Sequence, residues 1–292
     1  MSDPGVAPGE PPFGRVALIG LGLIASSIAW AARRGGAAGE VVGFARTGAS
    51  REEARALGFC DRVAETAAEA AAGADLVILC VPVGAMEAVA REIAPVLKPG
   101  AVVSDVGSVK RAVIAAVAPH LPAGVPFVPA HPLAGTERSG PGSGFATLFD
   151  NRWCILVPGL APEADVERVG AFWRALGANV ERMDADHHDM VLAMVSHAPH
   201  LIAYTMVGLA DHLEEVSDSE VIKFAASGFR DFTRIAASDP TMWRDVFLTN
   251  RDATLDILGR FTEELFALQR AIRLGDGALL HEYFTRTRAI RR

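Results

Sequence analysis

A histidine follows an apolar stretch at a position where a hydride-transfer enzyme would need a base. It is His131, and the segment 127–137 around it reads FVPAHPLAGTE. Histidine has an unperturbed pKa of about 6.5, so its neutral ring can accept a proton near neutral pH. The alternative is a loop histidine whose hydrogen bonds are satisfied inside the protein. Because the ring is expected at a strand end, beside the mouth of a cofactor site, we favour the catalytic role.

Close to its start the chain has a turn typical of dinucleotide binding. Residues 16–25 read VALIGLGLIA, an apolar strand that passes through two glycines into a helical pattern. Gly20 permits the tight turn, and Gly22 allows the backbone to approach a pyrophosphate at the helix N-terminus. Ala25 takes the place of a third glycine and still allows close packing of helix and strand. Together with His131, this turn predicts a nicotinamide-dependent dehydrogenase.

Two further segments are expected to contact the cofactor. Residues 41–47 read VVGFART, so an arginine rather than an acid follows the second strand. An arginine there can pair with the 2′-phosphate of NADP, whereas an acid would bind the ribose of NAD. We therefore favour NADP and leave NAD open, since Arg46 could also be a solvated loop residue in an enzyme that accepts both. The stretch 79–83, LCVPV, is expected to close over the nicotinamide. The predicted cofactor contacts are Gly20, Gly22, Leu23, Ile24, Arg46, Thr47, Val81 and Pro82.

A serine and a lysine lie where a predicted strand passes into a helix. Residues 105–110 read DVGSVK. A serine at such a junction commonly caps the helix, so Ser108 has an ordinary structural explanation. The carboxyl ends of parallel strands also border the ligand crevice, and Ser108 could instead hydrogen-bond a substrate hydroxyl or His131. Lys110 is expected to be a solvated helix residue.

Length and composition limit the class of protein. The chain has 292 residues, of which 50% are hydrophobic and 22% charged, which suits a soluble protein with two domains. Its formal charge of −7 argues against nucleic acid or an anionic membrane as the main partner. We interpret the apolar runs 16–32 and 190–210 as a strand–turn–helix and a buried helix, so no membrane span is expected. Three cysteines without metal spacing indicate the cytoplasm.

Hydrophobic periodicity divides the chain into two domains of different class. Residues 1–14 are rich in proline and glycine and predict a flexible tail. Over 15–183, strands that are apolar on both faces alternate with helices, which predicts an α/β, Rossmann-like dinucleotide-binding domain around a parallel sheet. Over 184–292 only helix-length segments remain, which predicts an all-α domain for substrate binding and dimerisation. The predicted strands are 16–21, 41–45, 75–81, 101–105, 125–129, 153–157 and 179–181. The predicted helices are 24–34, 51–57, 85–97, 109–118, 163–176, 185–213, 218–237, 241–251, 253–274 and 276–290.

The predicted helix 185–213 is apolar on nearly all sides, more than one small helical domain usually buries. Pro199 should kink it, because proline removes a hydrogen bond and crowds the preceding turn. We therefore expect a homodimer that packs through this domain. His197 and His200 share one face of the helix, and a metal pair with the stretch 184–189, DADHHD, is conceivable. Aspartates that open a helix mainly serve as caps, however, and we predict no metal site.

Several motifs in a fixed order carry a resemblance to a known family. They are GLGLI at 20–24, DVGSVK at 105–110, HPLAGTE at 131–137, SHAPH at 196–200, DFTRIAASDP at 231–240 and MWRD at 242–245. In these motifs, and over nearly the whole chain from residue 15 onwards, the sequence resembles the prephenate/arogenate (cyclohexadienyl) dehydrogenase family of tyrosine biosynthesis. It departs from the family pattern at Ala25 and at Ala45-Arg46, where many members carry an acid. The second departure bears on cofactor preference.

The resemblance implies the oxidative decarboxylation of a cyclohexadienol that carries two carboxylates. Hydride passes to NAD(P)+, the hydroxyl loses its proton, and the ring carboxylate leaves as CO2. His131 is assigned the role of proton acceptor, with Ser108 orienting its imidazole or the substrate hydroxyl. Arg234 is assigned the substrate ring carboxylate. His200 would approach the substrate side chain, while His197 is expected to be structural. The implied substrate contacts, of which the last two line or gate the site, are Arg234, His200, Trp243, Thr136 and Glu137.

Two of these contacts also have structural explanations. Arg234 lies in an apolar helical stretch, where a partly buried guanidinium needs an anion. That anion is either a substrate carboxylate or an internal partner, Asp231 or Asp239. Trp243 suits ordinary helix packing as well as a pocket wall, a place also expected for Arg230.

Two other functions fit parts of the pattern. A β-hydroxyacid-type dehydrogenase commonly uses a lysine of its second domain as the acid/base group, but Lys223 is the one lysine there and no motif surrounds it. A non-catalytic dinucleotide-binding sensor of the same fold would be expected to have lost the base, the serine or the arginine. The choice between prephenate and arogenate stays open, because these substrates differ only in a keto or an amino group.

Overall fold

The computed structural model of the chain describes residues 10–136, 138–212 and 227–291. Five strands form a parallel sheet in the order β3-β2-β1-β4-β5, and three form a second sheet in the order β6-β7-β8. The strands are Phe13–Ile19 (β1), Ala38–Phe44 (β2), Arg62–Val63 (β3), Leu76–Leu79 (β4), Val102–Asp105 (β5), Ala130–Pro132 (β6), Trp153–Leu156 (β7) and Asn179–Arg182 (β8).

Helices cover the parallel sheet and make up the C-terminal part of the chain. Two short elements, β3 and the helix α3, were not predicted from the sequence. The α-helices are Leu23–Gly35 (α1), Gly48–Leu57 (α2), Ala67–Ala71 (α3), Met86–Ile93 (α4), Arg111–Val117 (α5), Glu163–Ala175 (α6), Ala185–Leu192 (α7), Ala198–His212 (α8), Ser227–Thr233 (α9), Pro240–Thr249 (α10), Arg251–Leu274 (α11) and Gly277–Arg291 (α12).

The central strand β1 is apolar on both faces, which requires a covering layer on each. Val16 and Leu18 pack into a core with residues of α1 and α6, whereas Ala17 and Ile19 pack into a second core with residues of α3, α4 and α5. Helix α10 of the C-terminal part joins the second core through Trp243. The burial of both faces accounts for the parallel pairing of β1 with β2 and β4.

The strand predicted at 125–129 is wrong. Phe127 makes a single bridge to Val103 of β5, and the next strand is β6. Pro126 and Pro129 flank Phe127, and proline has no N–H to donate to a sheet ladder. The chain therefore pairs with β5 at one point only and then enters the second sheet.

The prediction of one parallel sheet is also wrong for this region, since β6 pairs with β7 in antiparallel orientation. An antiparallel pair needs no crossover helix. Among the described residues between these two strands, the structure has only a 3₁₀ turn, Pro141–Ser143. Strands β7 and β8, which α6 connects, are parallel.

The helix predicted at 185–213 is divided in two. Residues Ala193–His197 form a π-helical turn between α7 and α8, immediately before Pro199. Pro199 has no N–H for the carbonyl group four residues earlier, and a widened turn accommodates that loss. The expected proline kink therefore takes the form of a π turn.

Within the residues that the structure describes, the C-terminal helices expose a large apolar surface. Among the described residues, one helical stretch, Ala185–Ala210, is long and apolar enough to cross a membrane by length and composition, and 28% of its most apolar window is buried. In the predicted helix 218–237, residues up to 226 lie outside the described part of the chain, and the rest forms α9 and a 3₁₀ turn, Arg234–Ala237. Apolar side chains of this part that are more than half exposed are Met194, Val195, Leu209, Leu248, Leu255, Leu265, Phe266, Ile272, Leu274, Phe284 and Ile290.

Candidate active site

The turn after β1 leaves room for a pyrophosphate. Gly20 has a φ of +101°, and a Cβ there would lie 2.6 Å from the carbonyl oxygen of Cys80, so only glycine fits. At Gly22, by contrast, a Cβ would meet no atom within 4 Å. Leu23 and Ile24 open α1, and no side chain caps the N–H groups of this first turn. These groups can bind an anion, which the helix dipole stabilises, so the residues present fit a dinucleotide.

The segment after β2, the ribose end of such a site, carries two arginines. Arg46 is exposed, while Thr47 caps α2 by accepting a hydrogen bond from the Ser50 N–H at 3.2 Å. The Thr47 hydroxyl also donates to Ser50 Oγ, so the helix cap engages this side chain. Arg51, which the sequence did not single out, donates to the main-chain carbonyls of residues 45 and 46 and lies 3.1 Å from Glu65. Its place in the first turn of α2 is the signal that could have identified it.

The stretch after β4 meets the helical part of the chain. A Cβ on Gly20 would lie 2.9 Å from Val81 Cγ1, so Val81 borders the dinucleotide turn, and Pro82 is exposed next to it. A Cβ on Gly84 would lie 3.3 Å from a carboxylate oxygen of Asp245 in α10. The cleft expected for the nicotinamide is therefore bordered by both parts of the chain.

Lys110 is fully buried, so the prediction of a solvated residue is wrong. Its Nζ lies 2.6 Å from Asp105 Oδ2 and donates to the carbonyl oxygen of Ala130 at 2.7 Å. The Gly107 N–H donates to the same Asp105 oxygen, which folds the chain back on itself and brings the lysine inside. Burial raises the pKa of Asp105 and lowers that of Lys110, while their mutual attraction opposes both shifts. This pair fixes the main chain of β6 one residue before His131.

His131 is hydrogen-bonded to a second histidine and, through it, to a carboxylate. His131 Nδ1 lies 2.9 Å from His188 Nε2, and His188 Nδ1 lies 2.8 Å from Asp189 Oδ1. A carboxylate only accepts, so His188 Nδ1 carries the proton and His188 Nε2 accepts from His131 Nδ1. The network therefore assigns the lone pair of His131 to Nε2, so this nitrogen is the one that can accept a proton. The partner that orients His131 is thus His188, where the sequence suggested Ser108.

Asp189 also closes the N-terminus of α5. Its Oδ1 accepts from the Lys110 N–H at 2.8 Å, and its Oδ2 accepts from the Arg111 N–H at 3.0 Å. The cap of α5 is therefore a carboxylate of α7, and the structural explanation offered for Ser108 as the cap is wrong. Although burial raises the pKa of Asp189, the hydrogen bonds from His188 and these N–H groups outweigh it and lower the pKa overall.

The surroundings keep the base neutral. Burial, followed by the nearby His188, Lys110 and His197, lowers the pKa of His131 well below 6.5. Burial also lowers the pKa of His188, and it outweighs the opposing hydrogen bond to Asp189. A neutral His131 with a lone pair on Nε2 is in the protonation state required to accept a proton.

The C-terminal part supplies an aromatic wall. His200 stacks on Trp243 with ring centroids 3.7 Å apart, and His197 meets the same indole edge-on at 6.0 Å. His200 Nδ1 donates to the carbonyl oxygen of Ser196 at 2.8 Å, which orients the ring. Trp243 is buried in the second core and also contacts these rings, so helix packing accounts for its burial, and its place in a pocket wall stays a prediction.

Of the remaining predicted contacts, Arg234 is the one that the structure relates to this wall. Arg234 is exposed in its 3₁₀ turn, so the expectation of partial burial is wrong, because the turn lies on the surface of the helical part. Burial lowers the pKa of His200, the hydrogen bond to the Ser196 carbonyl opposes that shift, and the charge of Arg234 adds to the lowering. Thr136 is exposed, with Oγ1 accepting from the N–H of residue 138, and Glu137 lies outside the described residues.

The electrostatic and ring contacts connect the predicted base to the predicted anchor. His197 lies close enough to His131 to influence its pKa, Arg234 does the same to His200, and both histidine rings contact Trp243. Arg46 and Thr47 belong to the separate ribose end. The sequence did not indicate His188 as an orienting partner, although a His-Asp pair within an apolar helix was a usable signal. Over the described part of the chain, no three His, Cys, Asp or Glu side chains are grouped to hold a metal ion.

Comparison with known proteins decides the family. Residues 28–182 match the nucleotide-binding domain of prephenate dehydrogenase, and residues 184–286 match the dimerization domain of prephenate dehydrogenase. The chain belongs to the prephenate dehydrogenase family. The family resemblance and the fold class predicted from the sequence are confirmed.

Relatives in the prephenate dehydrogenase family align with nearly the whole chain. Cyclohexadienyl dehydrogenase of Zymomonas mobilis is 41% identical over 96% of this chain and 95% of its own length, and prephenate dehydrogenase of Bacillus subtilis is 33% identical over 92% and 73%. Among solved structures, Aquifex aeolicus prephenate dehydrogenase in complex with hydroxyphenyl propionate and NAD+ superposes with a TM-score of 0.86 at 32% identity, covering 95% of this chain and 97% of that one. Synechocystis arogenate dehydrogenase gives 0.79 at 25% identity, covering 95% and 98%.

The pH dependence of this family member should reflect the lowered pKa of His131. We expect kcat to stay constant as the pH falls through 6.5 and to decrease only at more acidic pH, where the ring becomes protonated. Below pH 6.5 the unfolded chain binds more protons than the folded one, so the free energy of unfolding should decrease as the pH falls through that value. A pH profile of kcat, with denaturant unfolding at each pH, measures both. A half-maximal kcat at pH 6.5 or above would contradict the assignment.

Proposed function

We propose that this protein oxidatively decarboxylates prephenate, arogenate or both, with hydride transfer to NAD(P)+. The observation that carries the proposal is the hydrogen-bonded chain from His131 through His188 to Asp189, which leaves the lone pair of His131 on Nε2, with His197 of the aromatic wall close by. The named activities of the relatives support the same reaction.

The proposed chemistry needs one base and returns its proton. When bound, the nicotinamide supplies the acceptor for the hydride that leaves the carbinol carbon. His131 Nε2 takes the hydroxyl proton as the C–O bond gains double-bond character. The C–C bond to the ring carboxylate then breaks, CO2 leaves, and its electron pair restores the aromatic ring. The proton on His131 can return to the phenolate oxygen, so the overall reaction neither consumes nor releases a proton.

We propose that the other predicted contacts bind the two carboxylates and shape the cleft. Ser108, which is half-buried and whose main chain lies near His197, would hydrogen-bond the substrate hydroxyl. Arg234 would bind the ring carboxylate, for which its planar fork is suited, and its charge reaches His200 of the aromatic wall. His200 and Trp243 would flank the side chain of the substrate. Thr136 and Glu137, predicted to line or gate the site, complete this proposal.

We propose NADP as the preferred cofactor, with NAD as the alternative. Two arginines, Arg46 and Arg51, lie at the ribose end, and no acid stands at the end of β2 where NAD would require one. The contact of Arg51 with Glu65 is the feature that favours NAD, since the carboxylate already neutralises part of the positive charge. Leu23, Ile24, Val81 and Pro82 would line the rest of the dinucleotide site.

We further propose a cytoplasmic homodimer divided into residues 15–183 for the dinucleotide and 184–292 for substrate and dimerisation. The exposed apolar side chains of α8, α11 and α12 support a protein interface, as does the match to a dimerization domain. The charge of −7 and the polar residues within helix 185–210 favour a second copy over a lipid membrane or nucleic acid as the partner. The three cysteines are unpaired, which is consistent with a reducing compartment.

The reaction is tested by turnover of prephenate and of arogenate with NAD+ and with NADP+, followed by the absorbance of the reduced cofactor. His131→Asn should lower kcat by roughly 10²- to 10⁴-fold, because it removes the proton acceptor and leaves the dinucleotide site intact. His120→Asn is the matched control, since His120 lies apart from the cleft beside Glu87. No turnover of either substrate by the unmodified protein would end the proposed function, and an undiminished kcat in His131→Asn would remove that residue from the mechanism.

The proposed contact of Arg234 with the ring carboxylate is tested separately, through the KM of the substrate. Arg234→Ala should raise the KM of the dianionic substrate by about tenfold or more, with a smaller change in kcat, because a charge-assisted hydrogen bond is lost from the bound state. Arg234→Lys should recover only part of the affinity, since an ammonium lacks the planar fork. Arg260→Ala, which removes a surface arginine paired with Asp256, serves as the control. An unchanged KM in Arg234→Ala would refute the contact.

A further inference from the structure

Asn250 is the single residue between helices α10 and α11, and it is buried. Its N–H donates to the carbonyl oxygen of Val246 at 2.9 Å, and its carbonyl accepts from the Thr254 N–H at 3.1 Å. The backbone of Asn250 is therefore fixed by both helices. An asparagine at this position commonly caps the following helix with its side chain, but here the side chain makes no capping hydrogen bond.

The side chain is instead directed at two groups from α7 and from the π-helical turn. Asn250 Nδ2 donates to the main-chain carbonyl oxygen of Asp189 at 2.8 Å and lies 3.0 Å from His197 Nδ1. The Asp189 carbonyl fixes the orientation of the amide, since a reversed amide would place two acceptor oxygens against each other. An amide nitrogen only donates, so His197 Nδ1 must accept, and the proton of His197 is on Nε2.

Asp189 and His197 are each linked to one of the proposed reacting residues, His131 and Ser108. Asp189 is the carboxylate that holds His188 and, through it, His131. His197 Nε2 is buried without a partner that meets hydrogen-bond geometry, yet the main chain of Ser108 lies close enough to raise the pKa of the ring. Only an acceptor has that effect on a histidine, so the neighbour is the Ser108 carbonyl. Burial dominates and lowers the pKa of His197 to about 4, which keeps the ring neutral.

We propose that Asn250 is a positioning residue that fixes the base and the serine relative to each other. One hydrogen bond from its amide holds the main chain of Asp189, whose carboxylate anchors the base. The other sets the tautomer of His197, whose ring lies near the main chain of Ser108. The proposal rests on the proposed function for its kinetic consequences, but the assignment of the hydrogen bonds does not. A single amide thereby connects the two groups proposed to approach the substrate hydroxyl, His131 and Ser108.

The test compares Asn250→Asp and Asn250→Ser with a matched control on the same helix, Thr254→Val. Thr254 is buried one turn further along α11, and its hydroxyl makes no hydrogen bond. Asn250→Asp keeps the size of the side chain but places acceptors against the Asp189 carbonyl and His197 Nδ1. Asn250→Ser keeps one donor, which can bond to the Asp189 carbonyl or to His197 Nδ1 but not to both. It is the second variant, to be used if Asn250→Asp does not fold.

Two measurements are made on each protein. In the kinetic assay, Asn250 variants should lose about 10²-fold in kcat, as expected when reacting groups move by about 1 Å, with KM and cofactor affinity nearly unchanged. The acid limb of the kcat profile should move to higher pH, because loosened packing admits water to the base. The charged and titratable groups close to His131, through which this limb is set, are Lys110, His188, His197, the Cys154 thiol against the His131 main chain and, further away, Asp105 and Asp189.

The second measurement, ¹⁵N NMR of histidine-labelled protein, is independent of turnover. His197 should carry its proton on Nε2 in the unmodified protein and in Thr254→Val, and should change to the Nδ1-protonated or doubly protonated form in Asn250→Asp. A proton on Nδ1 of His197 in the unmodified protein would overturn the proposal, as would kcat and an acid limb in the folded Asn250 variants equal to those of Thr254→Val. If the unmodified protein turns over neither substrate, the proposed function fails, and the NMR result alone decides the role of Asn250.

Discussion

The carboxylate of Asp189 is the group on which the geometry of this cleft depends. It lies at the start of the helical part of the chain, yet it closes the N-terminus of α5 in the dinucleotide-binding part and holds the His188 ring. One side chain thus joins the two parts of the chain and sets the tautomer of His131, the proposed base. A change in how α7 lies on α5 would therefore change the direction in which His131 presents its lone pair. The same helix-capping interaction that stabilises the fold also prepares the chemistry.

The opposite side of His131 is fixed by a second buried charge system. The ion pair of Lys110 with Asp105 ties β5 to the first residue of β6 through the Ala130 main chain. Removing either partner would leave an unpaired buried charge, whose cost is on the order of 3–5 kcal/mol. The base consequently stands between two rigid supports, one from each part of the chain. Such support suits a reaction in which the hydroxyl proton and the hydride must leave from neighbouring atoms.

The sequence predicted those features that depend on local chemistry. The turn at Gly20 and Gly22 follows from the need for a positive φ and for open backbone, and His131 was identified because it ends an apolar stretch. The prediction of a strand at 125–129 failed because several residues act together there. Pro126 and Pro129 interrupt a run that otherwise favours a strand. The burial of Lys110 was missed because the sequence gives no sign that the chain folds back at Gly107.

The long-range partners could not be predicted from spacing alone. His188 and Asp189 lie more than fifty residues after His131, and their pairing depends on how α7 packs against α5. Arg234 was expected to be partly buried because its neighbours are apolar, but among the described residues both Arg234 and the neighbouring Phe232 are exposed. Periodicity identifies an apolar face, but it does not say whether that face meets the protein's own core or another protein.

The most direct test of the account is the kcat of Asp189→Asn, measured with the substrate and cofactor that the turnover assay identifies. The substitution keeps the size of the side chain and an acceptor for α5, but it removes the charge that fixes the proton of His188 on Nδ1. We predict a loss of roughly 10³- to 10⁴-fold, the scale seen when a catalytic histidine is held in the wrong tautomer. A kcat within about threefold of the unmodified enzyme, in a variant that folds and binds the dinucleotide normally, would contradict it.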